Sequence, residues 1–197
     1  YRGSLRAKDL VRQILTFARK TDEKSVRLYI SDTIQESIKF IRSTIPTSVE
    51  VFTSVDSRSW VLGAPTYIQQ ILMNLCTNAV HALGNDGGAI YVSCFDRNVS
   101  EDNHEFAGQQ VKKGNYVYLE VKDDGHGIAK DQLNSIFEPY FTTKSQEDGT
   151  GLGLAVVYGI IKEMGGFISV ESELNGWTSF KMLIPAITHE RREELEH

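Results

Sequence analysis

Pro65-Thr66-Tyr67-Ile68-Gln69-Gln70-Ile71-Leu72-Met73-Asn74-Leu75-Cys76-Thr77-Asn78-Ala79-Val80-His81-Ala82-Leu83 runs without a glycine until Gly84-Asn85-Asp86-Gly87-Gly88 interrupts it. Proline suits the first turn of a helix, where its missing N–H leaves nothing unpaired, and the glycine cluster stops the helix. At about 100° per residue, Ile68, Ile71, Leu72, Leu75, Ala79 and Leu83 share a broad apolar face. Gln70, Asn74, Asn78 and His81 follow at spacings of four, four and three. They form a second, polar stripe within an arc of about 80°. Two readings stand open: an ordinary solvated face, or a covered stripe that holds something polar. The stripe lacks Lys, Arg, Asp and Glu, unlike most solvated faces. If it is covered, each unpaired amide costs about 1–3 kcal/mol, a cost that a polar ligand, a metal or ordered water would remove.

Upstream of this helix, residues 5–19 repeat Leu10, Ile14 and Phe17 at helical spacing, with Val11, Leu15 and Ala18 beside them. Such a wide apolar stripe needs a partner, because one helix cannot bury it alone. A polar break at 21–24 follows. Ser31 or Asp32 is placed to cap a helix running to about residue 43, with Ile34, Ile38 and Ile41 on its inner face. The alternation Val49, Val51, Thr53, Val55 predicts a strand. Downstream, 90–95 and 116–121 are predicted neighbouring strands, and the polar run 97–115 between them is long for a hairpin and expected to be a mobile loop. A glycine-rich turn at 124–127, a short helix, an irregular stretch over 139–149 and a helix over about 152–164 come next. Gly165-Gly166 ends that helix, and strands over 167–172 and 178–184 close the chain. Consecutive strands late in the chain predict an α/β two-layer sandwich. Helices would cover one face of a mixed, mainly antiparallel sheet, preceded by a helical segment.

The bulk numbers narrow the function classes. At 197 residues and 41% apolar, the chain suits one full-sized domain with a substantial core plus a short appendage. Its 21 basic and 26 acidic residues give a formal charge of −5, which speaks against a long nucleic-acid footprint. Cys76 and Cys94 are the two cysteines. They sit in apolar runs without metal-type spacing, and are expected to be buried free thiols in a reducing compartment. No apolar stretch approaches the ~20 residues of a membrane helix and no secretory leader is visible, so a cytoplasmic fragment is expected, whose parent could still be membrane-anchored. Residues 195–197 resemble the stump of a purification tag.

Three further motifs carry chemistry. Asp123-Asp124-Gly125-His126-Gly127-Ile128 stands at a strand end. A carboxylate beside two glycines can accept from an exocyclic amine while the backbone lies close; Asp-Gly is equally a common turn pair. Asp148-Gly149-Thr150-Gly151-Leu152-Gly153-Leu154 runs into an apolar helix. Each glycine costs about 1 kcal/mol relative to alanine inside a helix. In exchange, the glycines let backbone N–H groups approach an anion at a helix N-terminus. It is neither a Walker loop, since no Gly-Lys-Ser/Thr follows, nor a dinucleotide fingerprint. Just before it, Ile136-Phe137-Glu138-Pro139-Tyr140-Phe141-Thr142-Thr143-Lys144 offers aromatics to pin a flexible segment and a lysine within reach of a phosphate, or simply a solvated lysine after a hydrophobic anchor.

In this order the four elements resemble the signature boxes of the GHKL superfamily, and of sensor histidine kinases in particular. Residues 70–79 look like the asparagine box, 124–127 the first glycine box, 137–144 the phenylalanine box and 149–153 the second glycine box. The resemblance implies the Bergerat version of the two-layer sandwich over about 26–190, with ATP and Mg²⁺ as cofactors. It implies that Asn78 coordinates the magnesium and Asn74 supports that site. Asp124 would accept from the adenine amino group, Gly127 would let the base lie flat, and Gly125 and Ile128 would complete that turn. The backbone of Gly151, Leu152 and Gly153 would cradle phosphates, with Gly149, Thr150 and Leu154 also among the nucleotide-binding residues. Lys144, with Phe137 and Thr143 beside it, would approach the terminal phosphate, and 139–149 would be the ATP lid. Thr178 matches a threonine that holds adenine through water, although Trp177 stands where a glycine often precedes it. His81 stands where many kinases carry Lys or Arg to contact phosphate.

The position of Asn74 bears on the reaction. Related ATPases carry a glutamate there as general base for water, and an amide cannot take that proton. Transfer of a positioned γ-phosphate is therefore implied over hydrolysis. Residues 1–22 resemble the second dimerisation helix, with the phospho-accepting histidine on a preceding helix. His104, His189 and His197, in a polar loop and the tail, and His81 and His126, within the boxes, are poor acceptors. The implied partners are ATP, the protein's own dimerisation and phosphoacceptor domain, a second copy in the full-length protein, and a response-regulator receiver domain. The fragment alone would not autophosphorylate. A GHKL-type ATPase, a protein-serine kinase and a catalytically silent nucleotide-sensing module are the alternatives.

Overall fold

Why Ile30 is buried while its neighbour Asp32 is not explains where the first helix starts. In the computed structural model, which describes residues 25–100, 106, 109–142 and 150–187, helix α1 spans Ile30–Arg42. Ile30, Ile34, Ile38 and Ile41 recur on its inner face and are all buried. The helix therefore begins before the predicted caps: Tyr29 is the N-cap residue and gives no side-chain bond. Ser31 is buried and donates its hydroxyl to the Ser57 carbonyl, while Asp32 sits in the first turn, where its charge suits the helix dipole.

Helix α2, Pro65–Leu83, has the predicted bounds, with Ala64 as N-cap and Gly84 at the C-cap (φ 66°). Helix α3, Gly153–Glu163, begins one residue later and ends one residue earlier than expected. Among the described residues the strands number seven: β1 (Val26–Tyr29), β2 (Val49–Val55), β3 (Trp60–Gly63), β4 (Gly88–Val99), β5 (Gly114–Asp123), β6 (Phe167–Glu173) and β7 (Trp177–Pro185). Five of them form a sheet in the order β2-β4-β5-β7-β6, and β1 pairs with β3 in a separate two-stranded ribbon. Only β2–β4 is parallel; the other three pairs of the large sheet are antiparallel. The parallel pair follows from connectivity, since α2 lies between its strands and parallel neighbours need such a crossover.

The core lies between this sheet and helices α1, α2 and α3. Val92 and Cys94 of β4, Val117, Leu119 and Val121 of β5, Phe180, Met182 and Ile184 of β7 and Ile168 of β6 meet the apolar stripes of the helices. All of these strand residues are buried; strands with alternating inward residues and helices with one apolar face can close only as two layers. Cys76 and Cys94 are free and buried, and burial pushes both thiols up to about 12.

Three local expectations change. The strands flanking the polar run extend into it, to Val99 and from Gly114. Phe106 from that run is fully buried in a second cluster with Val99, Tyr116, Tyr118 and Leu183, on the sheet face away from the helices. The short helix after the glycine-rich turn does not form. Gln132, Ser135 and Glu138 instead donate to the carbonyls of Ala129, Gln132 and Ser135, three residues back each time, giving a string of turns. The segment 1–22, the residues 188–190 at the expected domain end and the 195–197 tail lie outside the described residues.

Candidate nucleotide site

At one end of the large sheet, the register sets Ile90, Asp123, Thr178 and Ser172 in one row across β4, β5, β7 and β6. Directly paired residues project to the same side of a sheet, and this is the side that carries Val121, Phe180 and Val170 toward the helices. Asp123 and Thr178 are buried, at 5% and 3% exposure. Burial raises the Asp123 carboxyl to about 6, against the stabilising N–H of Gly125 and the charge of His126. A buried carboxylate that accepts one N–H, from Gly125 at 3.0 Å, keeps further acceptor capacity for a ligand.

Asp124, the residue expected to meet adenine, lies elsewhere. It is exposed, and its Oδ1 accepts the Ala89 N–H at 2.7 Å. The side chain thus ties the turn to the start of β4, where Gly88 leaves it room. The neighbouring aspartate was legible in principle, because Val117, Leu119, Val121 and Asp123 share one parity. The signal was obscured by Tyr116 and Tyr118, which make the strand apolar on both faces.

The first glycine box is wedged between two elements. The His126 N–H donates to the Ala82 carbonyl near the end of α2, and the Asn175 N–H donates to the His126 carbonyl. A Cβ on Gly125 would meet the Ala82 backbone at 2.7 Å. Gly127 has φ 68°, and a Cβ there would overlap the Glu173 carbonyl oxygen, so this position tolerates no side chain. The Ile128 N–H donates to Ser172 Oγ at 2.8 Å, and the Ile128 side chain packs on the core.

The polar stripe of α2 runs beside this turn. Gln70, Asn74 and Asn78 are half-buried and His81, in the last turn, is exposed. The first three are thus partly covered, which an ordinary solvated face is not. Across from them begins α3: a Cβ on Gly153 would lie 3.3 Å from Asn74 Oδ1. Leu152 is the N-cap of α3 and contributes no side-chain bond, so that among the described residues no side chain caps the first-turn N–H groups, the kind of group that takes an anion. Thr150 Oγ1 accepts the Leu152 N–H at 3.4 Å, and Leu154 packs on the core.

The phenylalanine box leads into that loop. Phe137 lies 5.6 Å from the Tyr158 ring and edge-on to Phe180 at 6.3 Å, and Phe141 also packs on the core. Tyr140 stands 76% exposed, with φ 69°. Its N–H donates to the Gly151 carbonyl at 2.9 Å, and a Cβ on Gly151 would overlap the Tyr140 backbone. Two backbones this close bring the two boxes together. Thr143, Lys144 and Gly149 lie outside the described residues. Trp177 leaves Thr178 in place, because its ring lies on the opposite face, 4.8 Å from Lys122 Nζ. Ser172, which no motif signalled, joins the site through its bonds to Ile128 and Thr178.

Comparison with known proteins decides the family. The sequence profile of the histidine kinase-, DNA gyrase B-, and HSP90-like ATPases matches residues 63–188. The chain belongs to that family. Within this ATPase family it is similar to the sensor kinase CckA of Brucella abortus, at 36% identity over 189 residues, covering 95% of this chain and 20% of that protein. It is similar in structure to full-length ShkA in complex with AMPPNP, with TM-score 0.69 at 26% identity over 91% of this chain and 36% of that one. It also resembles the catalytic domain of the histidine kinase ThkA, with TM-score 0.63 at 28% identity over 83% of this chain and 96% of that one. The chain spans 14% to 37% of the length of the curated relatives it matches. It is a catalytic ATP-binding domain of the histidine-kinase type. No helix among the described residues is long and apolar enough to cross a membrane.

Proposed function

We propose that this domain holds Mg-ATP and donates the γ-phosphate to a histidine on a dimerisation helix of the same protein, for relay to an aspartate of a response regulator. The observation that carries the proposal is the meeting of three features in one place. These are the half-buried amides of α2, the buried Asp123–Thr178 row, and the uncapped start of α3 beside Asn74. The α3 N-terminus and the Gly151–Leu152–Gly153 backbone take the phosphates. Asp123, in place of Asp124, accepts from the exocyclic amine of adenine.

The donor set fits magnesium. Among the described residues no cluster of three or more His, Cys, Asp or Glu exists to cage a cation. Magnesium bound to a nucleotide needs only one or two protein oxygens beside phosphate and water. The Asn78 amide oxygen would hold it, with Asn74 alongside, and the ion would neutralise charge developing on the transferred phosphoryl group. Asn74 has no basicity to activate water, so the pocket favours transfer over hydrolysis. His81 and Lys144 would reach toward the phosphates. The parent protein acts as a homodimer on the cytoplasmic side of the cell, membrane-anchored or not.

Two measurements test the reading. Asn78→Ala is expected to abolish magnesium-dependent binding of ATP in calorimetry while the circular dichroism spectrum is unchanged; near-wild-type affinity would refute the site. Mixed with a separate dimerisation domain and labelled ATP, the chain is expected to produce an acid-labile, alkali-stable phosphoprotein. Rapid steady ATP turnover by the chain alone would instead indicate an ATPase.

A further inference from the structure

Two oxygen–oxygen contacts and one N–H converge on the hydroxyl of Ser172, and together they determine where its proton lies. The Trp177 carbonyl oxygen is 2.8 Å from Ser172 Oγ, and Thr178 Oγ1 is 3.0 Å from it. Each contact needs a proton between its oxygens. A carbonyl has none to offer, so the Ser172 O–H donates to Trp177. The proton of the second contact is then that of Thr178, whose O–H donates to Ser172. The Ile128 N–H, at 2.8 Å, takes the other Ser172 lone pair. One proton and two lone pairs exhaust a hydroxyl.

With its proton committed to Ser172, Thr178 Oγ1 has only lone pairs left for the pocket. Asp123, directly opposite in the β5–β7 register, is an acceptor as well when ionised. We propose that Ser172 is a positioning residue that fixes the polarity of Thr178. The base pocket then presents acceptors only, admitting a purine with a 6-amino group and rejecting one with a 6-oxo group. The inference rests on the adenine-pocket reading above. A 6-amino group has two N–H donors and satisfies both acceptors, directly or through one water. A 6-oxo group sets lone pairs against lone pairs and leaves buried acceptors unpaired, the circumstance in which a site discriminates most strongly.

Ser172→Ala removes the acceptor that holds the Thr178 proton, and Thr178 can then turn its O–H into the pocket. Calorimetry with the magnesium complexes of ATP and ITP on the intact chain reads the effect. The expected result is a wild-type preference for ATP that shrinks about tenfold in Ser172→Ala, mainly because ITP binds better. Thr178→Val provides an independent route that does not depend on Ser172→Ala folding. It deletes the acceptor, so the preference is expected to shrink through loss of ATP affinity with ITP unchanged, and Thr178→Ser is expected to restore it. If ATP and ITP lose affinity equally, or the ratio is unchanged in the variants, Ser172 is merely structural and the proposal is overturned while the ATP site stands. If the wild-type chain binds neither nucleotide, the adenine-pocket reading fails and this proposal with it.

Discussion

Asp123 is asked to do two things that conflict. In the proposed site it accepts from the base as a carboxylate, yet burial raises its carboxyl to about 6. A folded-state value above the ordinary 3.8 means the protonated form is favoured by folding. Its contribution to stability is therefore fully present below about 3.8 and lost as pH rises through about 6. Asp123→Asn keeps the shape without the charge. At pH 7.5 it is expected to melt higher than wild type, by at most about 3 kcal/mol, the gap closing as pH falls below 6, while ATP affinity drops at least about tenfold. Parallel melting curves for the two proteins from pH 4 to 8 would show that Asp123 is not the strained group. In the wild type, ATP binding should weaken as pH falls through about 6, which calorimetry at stepped pH would measure.

The glycine turns illustrate how an element can be set by two different restraints. Gly84 and Gly127 have nearly the same φ, 66° and 68°. A Cβ on Gly84 meets nothing within 4 Å, whereas one on Gly127 overlaps the backbone of Glu173. Each alanine substitution incurs backbone strain of about 1–3 kcal/mol, and only Gly127→Ala adds a clash that must separate two elements. Chemical denaturation should therefore show Gly127→Ala losing more stability than Gly84→Ala, with nucleotide affinity reduced in the former. Equal losses would mean that the β6–β7 turn yields freely. The helices were legible because their signals are contiguous: Pro65 and Gly84 bound α2, and the isoleucine spacing marks α1. The start of α1 was misread because Ser31 has its partner at Ser57, which no local rule reveals.

The sheet has two faces, and the second owes its closure to a residue in a run that looked merely polar. Phe106, in the β4–β5 connection, is fully buried among Tyr116, Tyr118, Val99 and Leu183. Gln109 from the same connection donates to the Ile168 carbonyl and accepts from Lys162 of α3. Phe106→Ala is expected to cost about 3–5 kcal/mol in urea denaturation, with unchanged ATP affinity in the folded protein, because the cluster lies across the sheet from the site. A loss of affinity without a loss of stability would show the two faces to be coupled.

Helix periods, glycine punctuation and the order of the boxes are properties of neighbouring residues, so they could be read directly and they led to the two-layer sandwich and the ATP site. Strands β1 and β3, four residues each, carry too little local pattern and acquire their form by pairing with each other. Which of Asp123 and Asp124 is buried beside Thr178 was decided by register, since moving one residue along a strand turns a side chain to the other face. The hydroxyl relay from Ile128 through Ser172 to Thr178 likewise links residues 44 and 6 positions apart. Hydrogen bonds between distant residues form only where the packed sheet brings them together, and that is why folding, and no motif, decided which polar atoms meet at this end of the sheet.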